Sequence, residues 1–191
     1  EHIDREAARR CLGIAADDFV LLSFGFLVPF KLNDRVIDAW LNSPLAAARR
    51  CHLIFVGENN VPAYAGVLQE MIERSHCGGR IRITGFVDQQ TYHTYLAAAD
   101  GAVHLRAHSR GETSAAILDC LAYGIPTIIN AHGSAAELPD HAVIKLPDIF
   151  TQTALCDAMR RLRDDAGLRK SLSKCAVRHV RRHHARENVC E

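Results

Sequence analysis

Short apolar runs of strand length alternate with stretches of helical periodicity about six times along the chain, and this alternation constrains the fold more than any other feature. Val20–Phe26 is a continuous apolar run, followed from Asn33 by a helical stripe of Val36, Ile37, Trp40 and Leu41 that Asn33 or Asp34 is expected to cap. His52–Val56 is a second run ending at Gly57, and Tyr64, Val67, Leu68, Met71 and Ile72 then repeat at helical spacing. Ile81 and Ile83 mark a third strand, with a helix over Gln89–Ala99 behind a cap at Asp88. Ala102–Leu105, a helix over Ser114–Tyr123 stopped by Gly124, Thr127–Ile129 and Ala142–Leu146 continue the series, and helices over Gln152–Arg163 and Ala166–His184 close it. Short buried strands joined through helices must run parallel, because each crossover returns the chain to the same end of the sheet. The expectation is an α/β fold: a doubly wound, mostly parallel six-stranded Rossmann-like sheet with helices on both faces. Residues 1–18, with Ile3, Ala7 and Leu12 on one side, read as a linker or first helix, and 19–191 as the domain.

Composition narrows the partners. With 23 Lys+Arg against 22 Asp+Glu the net charge is +1, which gives no global reason to expect nucleic acid. The longest nearly apolar stretch, Phe19 to Phe30, is broken by Ser23, Gly25 and Pro29 and falls well short of the roughly 20 residues that span a bilayer. Seven scattered cysteines without a C-x-x-C pair suggest neither a zinc site nor a disulfide framework and fit a reducing, cytoplasmic setting. His179 and His183 share a helix face at a spacing that suits a metal, but no third ligand is near in sequence and a solvated face is the better reading. The chain has no initiator Met and no signal peptide and stops inside a helical pattern, so a piece of a longer protein is expected.

In a doubly wound sheet, ligands bind at the loops that leave the carboxyl ends of the strands. The first such loop, after Gly25, carries Lys31 just before a helix, where ammonium and helix dipole both favour an anion; a solvated lysine is the alternative. The loop after the third strand places Phe86 and Val87 before the Asp88 cap, where a planar ring can rest or Phe86 can be core. The fourth loop is the richest, with Arg106, Arg110, Gly111, Glu112, Thr113 and Ser114 ahead of a helix. Gly111 permits close backbone approach, and free N–H groups around Thr113–Ala116 with two arginines make an anion site suited to a phosphate or diphosphate. Surface salt bridging is the other reading of the arginines. Asp119 lies seven residues beyond Glu112, so the two acids fall on similar azimuths. Within an apolar helix Asp119 either meets ribose hydroxyls or faces solvent. There is no G-x-G-x-x-G, no G-x-x-x-x-G-K-[ST], no D-x-D and no H-E-x-x-H.

From Phe19 to Asp140 these pieces, in order, resemble the C-terminal, nucleotide-sugar-binding domain of group 1 type retaining glycosyltransferases of the GT-B fold. The resemblance rests on Leu21-Leu22-Ser23-Phe24-Gly25 with Lys31, Leu53-Ile54-Phe55-Val56-Gly57, Ile83-Thr84-Gly85-Phe86-Val87 and Leu96-Ala97-Ala98-Ala99-Asp100. Gly111-Glu112 through Asp119-Cys120-Leu121-Ala122-Tyr123-Gly124-Ile125-Pro126 and Gly133-Ser134-Ala135-Ala136-Glu137-Leu138 complete it. Arg110-Gly111-Glu112-Thr113-Ser114 further resembles a subgroup found in bacterial surface-polysaccharide assembly, lipopolysaccharide and mannosyl transfer included.

The resemblance implies donor binding. Lys31 would hold the donor diphosphate, Glu112-Thr113-Ser114 would meet sugar and diphosphate, Asp119 the ribose, and the base would lie by Phe86-Val87. Lys31 and Glu112 are the residues it implicates in catalysis, with Gly25, Arg106, Arg110 and Gly111 around the donor. It implies no metal or other cofactor, the nucleoside-diphosphate sugar (GDP-mannose among the candidates) being substrate. Two departures stand out: Phe26 occupies the place of a usual Arg, and the second acid is an Asp with one residue fewer between the pair. The acceptor, a glycan or lipid-linked molecule, would sit mainly on an N-terminal domain that this chain lacks, so the 191 residues alone are expected to transfer no sugar. A basic stretch of Lys174, Arg178, Arg181, Arg182 and Arg186 either approaches the acidic headgroups of the inner membrane, as a peripheral contact, or forms a solvated face. A nucleotide-sugar epimerase half and a non-catalytic α/β module with a degenerate site remain as competing functions.

Overall fold

Six strands form one all-parallel sheet: β1 (Phe19–Phe24), β2 (Cys51–Val56), β3 (Ile81–Ile83), β4 (Gly101–His104), β5 (Thr127–Asn130) and β6 (Ile144–Leu146). The computed structural model of the chain describes residues 3–75, 77, 79–109, 111 and 114–183. Strand order is β3-β2-β1-β4-β5-β6, the doubly wound order that reverses direction between β1 and β4. Eight α-helices accompany the sheet among the described residues: α1 (Arg5–Cys11), α2 (Asn33–Leu41), α3 (Pro44–Ala47), α4 (Pro62–Arg74), α5 (Gln89–Ala98), α6 (Ala115–Ala122), α7 (Gln152–Asp164) and α8 (Ala166–His183).

Every residue of β1 is buried, as a strand covered on both faces requires. Side chains alternate across the pleat. Leu21, Leu53, Phe55, Val103 and Ile128 join Trp40, Leu68 and Met159 in a core under α2, α4 and α7. On the opposite face Val20, Leu22, Phe24, Ile54 and Ala102 pack with Ala8, Leu96 and Cys120 from α1, α5 and α6. A third cluster, including Ile117, Leu121, Ile129, Leu138 and Ala176, seals α6 and α8 over β5. Asp88 caps α5 through a 2.7 Å bond to the Thr91 N–H, and Gly124 ends α6 at φ +66°.

Some local expectations are corrected. Neither Asn33 nor Asp34 caps α2: Leu32 is its N-cap residue, and the Asp34 N–H donates to the Tyr64 hydroxyl at 3.0 Å while that hydroxyl donates to Asp34 Oδ1 at 2.8 Å. A residue 30 positions away, on α4, therefore does the work assigned to a local side chain. Of the side expected from Ile3, Ala7 and Leu12, Ile3 and Leu12 pack partly against the core, whereas Ala7 is exposed and Ala8 and Arg9 are the buried residues of α1. Arg9 is buried through its guanidinium bonds, which an apolar stripe does not encode. The four-residue α3 is too short for periodicity to register.

Candidate functional site

Between β1 and β4 the crossovers leave in opposite directions, opening a crevice at the carboxyl ends of the two strands. Ser23, Lys31, His104, Leu105, Arg106 and Ser114 line a tight recess there. Lys31 ends a 3-10 turn over Pro29–Lys31, and Leu32 behind it takes a left-handed conformation, φ 54° and ψ 35°. Such a conformation costs a non-glycine residue about 1–2 kcal/mol. It is held by the Leu32 N–H bonding the Pro29 carbonyl and by packing of Leu32 against the core. The strained turn brings the ammonium back over the end of β1. At Gly25, φ is +95°, and a Cβ there would lie 2.6 Å from Lys31 Nζ. Gly25 thus admits both the turn and the ammonium.

Burial, and then the Arg106 guanidinium nearby, lowers the Lys31 pKa from 10.5 to about 8. No described residue accepts a hydrogen bond from its ammonium. Below lies His104, buried, stacked on Phe24 and held near a pKa of about 3 by burial and then by Lys31 and Arg106. The imidazole is therefore neutral at physiological pH, and its Nε2 sits 3.5 Å from Cys120 Sγ. Burial, then the Asp119 charge, pushes the Cys120 thiol far up, so it is a floor and not a nucleophile.

Three loops are stapled together over this floor. Arg106 N–H donates to Asn130 Oδ1 at 2.8 Å and Asn130 Nδ2 donates to the Arg106 carbonyl at 2.7 Å. Ala107 N–H donates to the Phe30 carbonyl at 2.8 Å, joining the β4 and β1 loops. Asn130 ends an apolar strand, and no sequence signal marks it as the clamp on Arg106. Ser114 is the N-cap residue of α6 without a side-chain cap bond, and Ala115 and Ala116 N–H groups bond no described residue. The helix end therefore presents donors beside the two cations.

The structure brings Gly25, Lys31, Arg106 and Ser114 together. Gly111 is exposed at φ +90° with open space beside it, while Arg110, Glu112 and Thr113 lie outside the described residues. Asp119 is half-buried and its Oδ2 accepts a 2.9 Å bond from the Tyr92 hydroxyl, a partner that periodicity does not reveal. Phe86 is 80% exposed and so is no part of the core, while Val87 packs partly against it. Phe26 is 55% exposed. A roomier cavity of about 590 Å³ lies between α6, a 3-10 segment over Gly133–Glu137 and α8. Ser114 lines both this cavity and the recess, and Ile117, Leu118, Leu138, Arg178 and Arg182 also line the cavity. Among the described residues no group of three or more His, Cys, Asp or Glu is placed to hold a metal, and no helix is long and apolar enough to cross a membrane.

Changing Gly25 to Ala is expected to cost about 1–3 kcal/mol of backbone strain, because an L residue is placed at positive φ. Thermal unfolding should show a midpoint a few degrees lower, at about 2–4 °C per kcal/mol. Calorimetric titration should show weaker anion binding, since the new methyl displaces Nζ. A variant with unchanged melting and affinity would contradict this placement of Lys31.

Comparison with known proteins agrees with this architecture. Residues 4–179 match the family model described as "Glycosyl transferases group 1". No curated protein matches the sequence. Among solved structures, the C-terminal domain of a glycosyl transferase group 1 family protein (LpcC) from Francisella tularensis superposes with a TM-score of 0.83 at 16% identity, covering 95% of this chain and 93% of that one. HepE from Anabaena, solved in complex with UDP and glucose, gives 0.80 at 22% identity over 94% of this chain and 47% of that one. WaaG, a glycosyltransferase involved in lipopolysaccharide biosynthesis, gives 0.76 at 22% identity over 92% and 46%. The chain spans about half the length of the latter two.

Proposed function

The chain belongs to the group 1 glycosyl transferases, and we propose that it supplies the donor-binding half of an enzyme that moves a sugar, with retention, from a nucleoside-diphosphate sugar to a glycan or lipid-linked acceptor. The observation that carries this is the Lys31–Arg106 pair, set beside the open N-terminus of α6 at the β1/β4 switch point. A diphosphate is the ligand such a site fits: two cations at close quarters and undirected backbone donors each gain from a dianion. Their charge would also stabilise the departing nucleoside diphosphate, where negative charge grows in the transition state. The Anabaena structure with UDP and glucose supports the nucleotide-sugar class.

In this reading Arg110 adds to the diphosphate clamp, Glu112, Thr113 and Ser114 meet the sugar, Asp119 holds the ribose and Phe86–Val87 border the base. The acceptor is bound by a further domain, and the setting is bacterial surface-polysaccharide assembly at the cytoplasmic face of the inner membrane. The exposed Lys174, Arg178, Arg181 and Arg182 on α8 suit contact with acidic headgroups there. Exposed Phe26, in place of a cation, is the observation favouring a module that kept the fold and lost the site.

Calorimetric titration of the 191-residue chain with ADP, GDP and UDP separates these. Binding of one base well above the others, with no sugar transfer by the chain alone, is the expected outcome. Binding of none would leave the degenerate module, and turnover by the chain alone would overturn its role as a half-site.

A further inference from the structure

Asp119 is not a free carboxylate. Its Oδ2 accepts from the Tyr92 hydroxyl at 2.9 Å, and no described residue donates to Oδ1. Tyr92 is itself fixed: its ring meets Phe24 edge-on, centroids 5.0 Å apart at 65°. Phe24 in turn is buried at the end of β1 and stacks on His104 beneath the recess. Burial first, and then the Asp119 carboxylate, push the Tyr92 hydroxyl well above its usual range, so it remains a donor at any working pH. Tyr92 also lies in the first turn of α5, directly after the Phe86–Val87 segment and the Asp88 cap. One helix end thus joins the segment proposed to border the base to the acid proposed to hold the ribose.

We propose that Tyr92 is a positioning residue for ribose recognition: its hydroxyl occupies Asp119 Oδ2, fixes the plane of the carboxylate and leaves Oδ1 as the acceptor for a ribose hydroxyl. This rests on the donor-site reading above. A short Asp side chain on a helix has several carboxylate orientations, and each must be given up when a diol is bound. A phenol clamped by Phe24 removes that cost before the nucleotide arrives. The ligand class this selects is a ribonucleotide with its diol intact.

The test compares the ribonucleoside diphosphate that binds best with its 2′,3′-dideoxy counterpart, using calorimetry on the wild-type chain, Tyr92→Phe, Asp119→Asn and the double variant. Wild type should favour the ribonucleotide by about tenfold or more, the weight of a hydrogen bond to a charged acceptor. Tyr92→Phe should cut that preference to about two- or threefold while leaving dideoxy affinity nearly unchanged. Adding Tyr92→Phe to Asp119→Asn should change nothing further. A merely structural role for Tyr92 would weaken both ligands equally, and that result, or a retained preference in Tyr92→Phe, overturns the inference while leaving the donor site standing. A wild-type chain that binds no nucleoside diphosphate overturns the donor-site reading and this inference with it.

Discussion

Lys31→Met is expected to weaken nucleoside-diphosphate binding by about 10- to 100-fold and, in an assembled enzyme, to lower transfer by about 10²- to 10³-fold, while making the unliganded fold no less stable. The two halves of that expectation have one cause. The ammonium sits partly buried beside Arg106 with no accepting partner among the described residues, and its pKa falls to about 8. Burial and the Arg106 guanidinium both disfavour the charged form of Lys31, and a bound anion offsets them, so removal of the ammonium costs the fold little and the ligand much.

The pH dependence has a definite sign. Below about 8 Lys31 is protonated both folded and unfolded; between about 8 and 10.5 the unfolded chain holds the extra proton. This group's contribution to stability therefore rises with pH across that window. Anion binding runs the other way, because only the protonated form attracts the diphosphate. Nucleotide affinity should fall as pH rises from 7 to 9.5 in wild type and stay flatter in Lys31→Met. A variant that melts several degrees lower yet keeps its affinity would show that Lys31 serves the fold and not the ligand.

The fold was legible because a sheet covered on both faces leaves a strong local trace. Its strands are short continuous apolar runs, and β1 and β2 bury nearly every residue. The loops that carry the recess were legible for a related reason: Lys31 and Arg106 are charged residues placed where a buried strand has just ended, at the edge of the sheet where ligands bind. What was not legible is whatever one loop does to another. Asn130 looks like the polar end of a strand, yet it holds both backbone groups of Arg106. Tyr92 looks like an ordinary helix residue, yet it occupies Asp119. Tyr64 reads as part of an apolar stripe, yet its hydroxyl caps α2 and is pushed far up in pKa by burial. In each case the partner is 24 to 30 residues distant. Spacing within one element carries no information about a hydrogen bond formed only after two crossovers have packed.

Arg9 is the extreme case, and its replacement should give the largest loss of stability. Its side chain is 2% exposed. Its guanidinium donates twice to the Ala98 carbonyl, to the carbonyls of Ala15, Ala16 and Asp18, and to the Asp100 carboxylate at 2.6 Å. Asp100 in turn accepts from Arg5 and from the Val20 N–H at the start of β1. One cation therefore ties α1, the C-terminal end of α5 and the entry to β1 into a single unit. Arg9→Met keeps the apolar stem but takes the donor from the buried Ala98 carbonyl and from the outer carbonyls of Ala15, Ala16 and Asp18, and removes the buried partner of Asp100. The expected cost is about 3–5 kcal/mol, or a fall in melting temperature of about 6–20 °C for a chain of this size. Arg50→Ala provides the contrast: its pair with Asp17 is exposed on both sides, and such pairs contribute about 0–1 kcal/mol. Because Arg9 and Asp100 share one network, Arg9→Met combined with Asp100→Asn should cost less than the sum of the two. Melting curves for wild type and these four variants decide the matter: a fall for Arg9→Met no larger than that for Arg50→Ala would mean that the N-terminal segment is held by its apolar contacts through Ala8 and Ile14 alone, and that the buried guanidinium is incidental to the fold.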